Sequence, residues 1–503
     1  MMKYPVFWCL IWISGFSEVL SVPYSISSFA QLVDHYGLVF NKTSQSDAFF
    51  NQRHIVIDTW CPLTLPNSAE KEGGEKNGKG GVELDPRNHT IFVYAGGKGN
   101  LEDNFDKSGF VLELAKHYGA LAIFIEHRFY GESQPFNGSR LTPKHRQFLT
   151  VDQAAADYMR IIYYYKIVAQ MSDAKVITFG SFYGGSLAAY LRFKYPNEIS
   201  GSLASGATVR MADEFQARTQ FWKRVTQSYQ QIPGIGPKVV QKIRSAFDGL
   251  NELTYFGSLG YEVISNQFNL CDRLNKKNYK TFLFTVRNVF AKLAINNNPY
   301  AVGMYPANPV QFASSIMYYT DRDIQALVDL TFWFYQQSKL TCFDPSKYFR
   351  LCPDPSGCEM NENGNVWAFQ TCWELQQVIG SSIGNSMFPN LEWTTKELFS
   401  FCKKEFEEFS GQERYQWFKI NYWGSKISSA SNIIWTNGQL DPWFGTGIIT
   451  TNSTPYLNTL SAIPGASQGL DLRGPVNGDG MAKYRQMELE LIGQILTGTF
   501  PSS

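Results

Sequence analysis

The chain has almost no net charge and no long apolar segment. Its 503 residues include 45 lysines and arginines against 44 aspartates and glutamates, which gives a formal charge of +1 at pH 7. Such a balance gives no indication of a nucleic-acid or an acidic-surface partner. No stretch approaches the ~20 consecutive apolar residues that a membrane-spanning helix needs. The sequence therefore predicts a protein without a nucleic-acid partner and without a membrane span.

The N-terminus contains a short apolar run. Lys3 precedes the apolar segment Val6–Ile13, and the small residues Gly15 and Ser17 follow it. A basic start, a short apolar run and a small-residue end are typical of a secretory signal peptide. We predict that residues 1–17 are removed and that the mature chain is secreted or lysosomal. A membrane anchor is the weaker alternative, because the run is too short to span a bilayer.

The eight cysteines include no C-x-x-C pair, and no histidine follows residue 145, so the sequence gives no support for a zinc site. Cys9 lies in the predicted signal peptide, and six of the other seven lie between Cys271 and Cys402. Such clustering in a secreted chain predicts disulfides within that region. An odd number leaves one thiol over, and Cys61 is the first candidate. We predict no metal and no cofactor.

Four N-x-S/T sequons fit the same compartment. They begin at Asn41, Asn88, Asn137 and Asn452. In a secreted protein such asparagines are acceptors for N-linked glycans and therefore lie on the surface. We predict glycosylation at several of these four sites, with the last weakened by the proline at position 455.

The stretch VITFGSFYGGSL at residues 176–187 resembles a nucleophile elbow that lacks its nucleophile. An elbow is a strand, a sharp turn and a helix, with the nucleophile between small residues as in G-x-S-x-G. Here Gly180 and Gly184 flank Phe182. All six histidines precede this stretch, whereas an α/β-hydrolase orders its triad Ser, then Asp or Glu, then His. The scaffold of a hydrolase is present, but two of its three catalytic side chains are missing.

Strands and helices alternate along the first 200 residues. Apolar runs predict strands at Thr90–Ala95, Leu121–Glu126 and Val176–Phe179, and amphipathic segments between them predict helices. This alternation predicts a mostly parallel sheet with helices on both faces.

From about Met211 amphipathic helical segments dominate, and sheet character returns near residue 432. The cysteine cluster falls within this helical part. We therefore predict an α/β-hydrolase core formed by residues 18–210 and 419–503. A helical, disulfide-linked cap over residues 211–418 would interrupt that core.

Four motifs, spread over nearly the whole mature chain, resemble one known family. They are EHRFYGES at 126–133, LTVDQAAAD at 149–157, the elbow at 176–187 and NGQLDPW at 437–443. They resemble, in the same order, the family of lysosomal Pro-X carboxypeptidase, dipeptidyl peptidase II and thymus-specific serine protease. The resemblance implies an α/β-hydrolase core interrupted by a helical cap. It also implies serine exopeptidase or aminodipeptidase chemistry, often at proline, in lysosomes or outside the cell.

The chain departs from this family where the chemistry would occur. The family's elbow reads G-G-S-Y-G-G, so Phe182 stands at the nucleophile position. Gln468 stands just before the segment LDLR, where the family has its histidine. Asp441 matches the triad aspartate and is retained. Lys98 replaces a residue that is usually glutamate, which reverses a charge close to the expected substrate site.

These departures predict a family member that has lost peptidase activity, because phenylalanine supplies no nucleophile and glutamine cannot shuttle a proton. The backbone N–H groups of Tyr183 and Gly97 would survive as an oxyanion hole, since they do not depend on side chains. A peptide or a partner protein would then bind in the old cleft. The alternative is an active proline-directed carboxypeptidase or aminodipeptidase that uses a displaced nucleophile such as Ser181. The oligomeric state is left open, with a homodimer among the alternatives.

Overall fold

The computed structural model describes residues 22, 24–37, 48–61, 89–136, 141–212, 220–335, 341–376, 386–391, 394–407, 411–449, 459–474 and 480–500. Its strands are β1 Ser25–Leu32, β2 Phe49–Ile57, β3 Thr90–Ala95, β4 Leu121–Ile125, β5 Lys175–Ser181, β6 Ile199–Ser205, β7 Ile433–Gly438 and β8 Thr459–Ile463.

The helices of the described part alternate with the strands at first and then follow one another. Before β6 they are α1 Leu101–Asp106, α2 Gly109–Tyr118, α3 Pro143–Arg146, α4 Val151–Val168 and α5 Tyr183–Lys194. Between β6 and β7 they are α6 Gln220–Gln230, α7 Gly236–Thr254, α8 Ser258–Gln267, α9 Tyr279–Ile295, α10 Pro309–Tyr319, α11 Asp323–Phe334, α12 Glu362–Trp373, α13 Thr395–Phe406 and α14 Gly411–Tyr422. Helix α15, Ala482–Thr497, follows β8.

The strands form one mixed sheet in the order β1-β2-β4-β3-β5-β6-β7-β8. The pairs β1–β2 and β2–β4 are antiparallel, and every later pair is parallel. In a parallel sheet the carboxyl ends of neighbouring strands meet at one edge. Ser181 pairs with Ser205, and Ser205 pairs with Thr436, so β5, β6 and β7 end side by side.

Apolar side chains cover both faces of the sheet. On one face Phe92 and Phe179 pack with residues of α1, α2 and α15. On the other face Val93 and Val176 pack with α4, α5 and helices of the segment between β6 and β7. Burial of this kind on both faces accounts for strands that read as continuous apolar runs. The predicted α/β-hydrolase fold with its mostly parallel sheet is confirmed.

The helical segment between β6 and β7 corresponds to the predicted cap. Its division from the core at residues 211 and 418 stays a prediction, and residue 418 falls within α14. Three disulfides, Cys271–Cys342, Cys352–Cys358 and Cys372–Cys402, confirm the predicted cysteine region. Cys61 is buried and lies outside these disulfides.

Several predictions fall outside the described residues. The signal peptide at residues 1–17 and all four sequon asparagines, Asn41, Asn88, Asn137 and Asn452, lie there. They remain predictions. Within the described ranges no helix combines the length and the apolar character that crossing a bilayer requires.

Candidate active site

The elbow is built as the glycine pattern predicts. Phe182 lies at its apex, between the end of β5 and the start of α5, with φ 55° and ψ −122°. A positive φ is uncommon for a residue with a side chain, and is found at strained functional turns. A Cβ built on Gly180 would lie 2.3 Å from the Gly184 carbonyl oxygen, and one on Gly184 would lie 2.6 Å from the Ala95 carbonyl oxygen. Only glycine fits at these two positions.

The Phe182 ring is enclosed by other aromatic rings and a lysine. Its centroid lies 5.7 Å from that of Trp367 and 5.2 Å from that of Trp443, and the residue is only 6% exposed. Lys98 Nζ lies 5.1 Å from the Phe182 centroid and 4.9 Å from the Trp367 centroid. Asp354 Oδ2 lies 3.5 Å from that ammonium. The turn that would present a nucleophile therefore holds a buried ring.

Asp441 and Gln468 meet beside Gly206, at the end of β6. A Cβ built on Gly206 would lie 3.1 Å from Asp441 Oδ2 and 3.8 Å from Gln468 Cγ. Asp441 Oδ1 accepts a hydrogen bond of 2.9 Å from the Trp443 N–H. Within the described part of the chain, neither Asp441 Oδ2 nor Gln468 Nε2 has a hydrogen-bond partner, although both atoms are buried. Burial raises the pKa of Asp441 to about 7.

Backbone contacts connect the Phe182 turn to this pair. The Phe182 N–H donates to the Ser205 carbonyl oxygen at 3.0 Å, and Gly206 follows directly in the chain. Trp443 completes the link, because its ring packs on Phe182 while its N–H binds Asp441. The positions predicted for the nucleophile, the triad aspartate and the base thus lie together at the carboxyl edge of β5, β6 and β7, where open α/β sheets hold their sites.

The predicted oxyanion donors lie against the elbow. A Cβ built on Gly97 would lie 2.8 Å from the Gly184 nitrogen and 3.6 Å from the Tyr183 carbonyl carbon. The Tyr183 side chain points away, with its hydroxyl 3.1 Å from His127 Nε2 and hydrogen-bonded by Gln370 at 3.2 Å. Burial lowers the pKa of His127 to about 4, so this histidine is neutral and supports the tyrosine. The role of the Tyr183 and Gly97 N–H groups remains a proposal.

Ser181 lies beside the apex, but its side chain lies next to Tyr94 and Gly469. Its Oγ lies 3.3 Å from the Tyr94 hydroxyl, and a Cβ built on Gly469 would lie 3.0 Å from Ser181 Cβ. Burial raises the pKa of Tyr94, which keeps that phenol protonated at neutral pH. A protonated phenol cannot remove the proton of a serine. The geometry therefore gives no support to Ser181 as a displaced nucleophile.

No sequence motif predicted the cap residues that close the site. Trp367 donates from Nε1 to Asp354 at 2.8 Å, and Asp354 also accepts from the Ser356 hydroxyl at 2.6 Å. These residues lie some 180 positions beyond the elbow, outside the four motifs that resemble the family. Among the described residues no group of three or more histidine, cysteine or acidic side chains is placed to hold a metal ion.

Comparison with known proteins identifies the family. The model of the family described as serine carboxypeptidase S28 matches residues 84–488, so the chain belongs to the S28 serine peptidase family. The chain is 29% identical over 473 residues to the lysosomal Pro-X carboxypeptidase of Bos taurus, covering 92% of this chain and 86% of that protein. It is 30% identical over 457 residues to that of Mus musculus, covering 90% and 84%. The resemblance inferred from the motifs is confirmed.

Asp441→Asn should remove a pH dependence of stability. Because burial raises the pKa of Asp441 to about 7, the folded chain keeps a proton that the unfolded chain releases above about pH 4. The stability from this group is full below pH 4 and is lost as the pH rises through 7. The excess of unfolding free energy at pH 5 over pH 8 should therefore fall by roughly 2–3 kcal/mol in the variant. Urea denaturation at both pH values measures it.

Asp354→Asn is the matched control, because the pKa of this buried aspartate is lowered instead of raised. Burial alone would raise the pKa of Asp354, but the nearby charges of Lys98 and Lys292 together lower it. The stability that it contributes is lost only below about pH 4, as the pH falls. Asp354→Asn should therefore leave the difference between pH 5 and pH 8 as in the parent. An equal effect of both substitutions would contradict the assignment to Asp441.

Proposed function

We propose that this chain is a non-hydrolysing member of the S28 family. The observation that carries the proposal is Phe182, a buried ring at the apex of an intact elbow. Gln468, next to Asp441, adds support, because an amide cannot accept the proton of a serine and pass it on. The nucleophile and the base are thus both replaced, and these two groups act as a unit in a triad.

The function that remains is binding of a peptide or a partner protein beside the old catalytic centre. Lys98, Glu359, Asn363 and Trp367 line a narrow opening next to the Phe182 ring. Lys98 is 31% exposed, so its ammonium reaches this opening while it pairs with Asp354. The opening has a volume of only about 10 Å³, so a peptide would lie over its mouth, where a cation, a carboxylate, an amide and an indole can bind its end groups without cleaving it.

The compartment is part of the same proposal. The curated relatives from Bos taurus and Mus musculus are named lysosomal. Three disulfides in the described part of the chain fit an oxidising compartment. We therefore propose that the chain enters the secretory route through residues 1–17, and becomes a lysosomal or secreted glycoprotein.

Labelling with a serine-directed phosphonate tests the loss of hydrolysis. The purified chain should remain unlabelled and should release no proline-containing fragment above background, because no activated serine is present. The mouse lysosomal Pro-X carboxypeptidase serves as the positive control under the same conditions. Labelling of the unmutated chain that disappears in Ser181→Ala would overturn the proposal.

A further inference from the structure

Two buried carboxyl groups, those of Asp471 and Glu488, lie between α15 and the strands β6 and β7. Asp471 is 3% exposed, and each of its oxygens accepts a hydrogen bond from a strand hydroxyl. The Ser205 hydroxyl of β6 donates at 2.6 Å, and the Thr436 hydroxyl of β7 donates at 2.5 Å. Asp471 therefore joins the segment LDLR, residues 470–473, to both strands.

Glu488 lies on α15 and is 0% exposed. Arg485, one turn earlier on the same face of this helix, donates to three backbone carbonyl oxygens of the LDLR segment, those of Leu470, Asp471 and Arg473. This face of α15 is therefore bound to the segment, and the Glu488 carboxyl comes within hydrogen-bonding reach of the Asp471 carboxyl. Within the described part of the chain, no donor group bonds to either oxygen of Glu488.

The two carboxyl groups can bond to each other only if one of them carries a proton. Two like charges repel strongly in a buried site, so neighbouring carboxyl groups share a proton there. The proton belongs on Glu488, because two hydroxyl donors stabilise the ionised form of Asp471 and none stabilises that of Glu488. Burial and the charge of Asp471 raise the pKa of Glu488 well above its usual value, although the nearby Arg485 acts in the opposite direction.

Other titratable and charged groups surround the pair without supplying a second cation to Glu488. Those described are Arg473, Tyr94, Asp441 and Glu113. The first three act on Asp471 through their charges, and the last acts on Arg485. Among the described residues Arg485 is therefore the cation that acts on Glu488, and its guanidinium already donates to three carbonyl groups. A proton is what makes the two carboxyl groups compatible.

We propose that Glu488 donates a proton to Asp471 and that this shared proton makes the attachment of the LDLR segment sensitive to pH. While the pair holds one proton, α15 and the segment stay bound to β6 and β7. When the proton leaves to solvent at higher pH, two negative charges face each other in a buried site, and the attachment weakens. Gln468 lies two residues before this segment, so the attachment also holds the residue beside Asp441. The device does not rest on the function proposed for the elbow.

Urea denaturation of the full chain between pH 5 and pH 6.5 tests the shared proton. An unfolded glutamate releases its proton above about pH 4.3, so folding takes up a proton at Glu488, and the stability that it contributes falls as the pH rises. Glu488→Gln keeps a donor toward Asp471 but has no titratable proton. In this variant the unfolding equilibrium constant should rise less steeply with pH, by about 10-fold per pH unit. Glu490→Gln is the matched control, because Glu490 lies on the same helix and is exposed, and it should leave the dependence unchanged.

Two further measurements separate the proton from its effect on the segment. Infrared spectra at pH 6.5 should show the carbonyl band of a protonated carboxyl group that is lost in Glu488→Gln and kept in Glu490→Gln. Hydrogen exchange, corrected for the intrinsic rate at each pH, should show residues 470–473 opening more readily as the pH rises in the parent but not in Glu488→Gln.

Two results would overturn the inference. The first is a pH dependence of unfolding, and of exchange in residues 470–473, that is the same in the parent and in Glu488→Gln. The second is an infrared spectrum in which Glu488→Gln removes no band of a protonated carboxyl group, which would show that Glu488 is ionised. Neither result would change the expected phosphonate resistance, so the two proposals fail separately.

Discussion

Phe182→Ser combined with Gln468→His should produce proline-directed peptidase activity that neither substitution produces alone. The pair would restore a serine at the apex and a histidine beside the retained Asp441. Triad members act as a unit, so we expect the double variant to exceed each single variant by roughly 100-fold or more in kcat/KM. Release of product from a prolyl peptide substrate and phosphonate labelling are the two measurements.

The structure also shows what the rebuilt site must overcome. Removing the Phe182 ring leaves a space between Trp367 and Trp443, and loss of a buried phenylalanine typically costs about 3–5 kcal/mol. Lys98 then faces the vacated space, since its ammonium lies 5.1 Å from the ring centroid. A smaller residue at the apex also lowers the steric obstacle to an acyl group. Stability and activity should therefore change in opposite directions.

Phe182→Ala with Gln468→His is the matched control for this experiment. It creates the same space and the same histidine but supplies no nucleophile, so it should remain inactive. Adding Asp441→Asn to the active pair should return the activity to the level of the single variants, because loss of a triad aspartate lowers kcat by about 10⁴-fold. A double variant that is as well folded as the alanine control, yet is neither labelled nor active, would show that Phe182 is not at the nucleophile position.

The chain's local patterns predicted the parts of the fold that depend on neighbouring residues. The run TIFVYA predicted the strand Thr90–Ala95 at its observed bounds, because a strand buried on both faces is apolar throughout. The glycine spacing predicted the turn around Phe182, because close backbone approach excludes a Cβ at Gly180. By contrast, β6 reads ISGSLAS, and its small residues give no strand pattern. It is a strand because β5 and β7 pair with it on both sides.

The candidate site was predictable only in part, for a related reason. The family motifs supplied Phe182, Asp441 and Gln468, which lie on the core. On the cap side Trp367 packs on Phe182, and Asp354 binds Trp367 and Lys98. Both residues come from the segment between β6 and β7, whose packing no short pattern encodes. The ion pair between Lys98 and Asp354 joins two parts of the chain that are distant in sequence, so no local sequence pattern predicts it.

Two of the motifs that resemble the family make structural contacts away from the elbow. Within EHRFYGES, Glu126 Oε2 accepts from the Ser133 N–H at 2.9 Å and from its hydroxyl at 2.7 Å, so the motif closes its own turn. Arg128 of the same motif donates to Asp157 of LTVDQAAAD at 2.7 Å from Nε and 2.6 Å from Nη2. These contacts do not involve Phe182, so they are independent of the residue at the apex of the elbow.

Asp157→Ala should strongly lower the free energy of unfolding, although it leaves the elbow intact. Arg128 and Asp157 are both 0% exposed and form a bidentate pair. Arg128 also donates to the carbonyl oxygens of Leu32 and Val33, which ties the end of β1 to α4. Removing the carboxylate leaves a buried guanidinium without its counter-charge. Loss of one partner of a buried ion pair costs about 3–5 kcal/mol, and we expect that decrease in the unfolding free energy.

Glu262→Ala is the matched control, because Glu262 lies 3.3 Å from Arg273 in a pair whose side chains are 40% and 76% exposed. Exposed pairs contribute about 0–1 kcal/mol, so this substitution should change the urea midpoint little. Asp157→Leu combined with Arg128→Met removes both buried charges together, but it also removes the donors to the Leu32 and Val33 carbonyl oxygens, so any recovery of stability should be incomplete. If Asp157→Ala changed the unfolding free energy no more than Glu262→Ala, the pair would not hold β1 against α4, and the persistence of these motifs would need a functional cause.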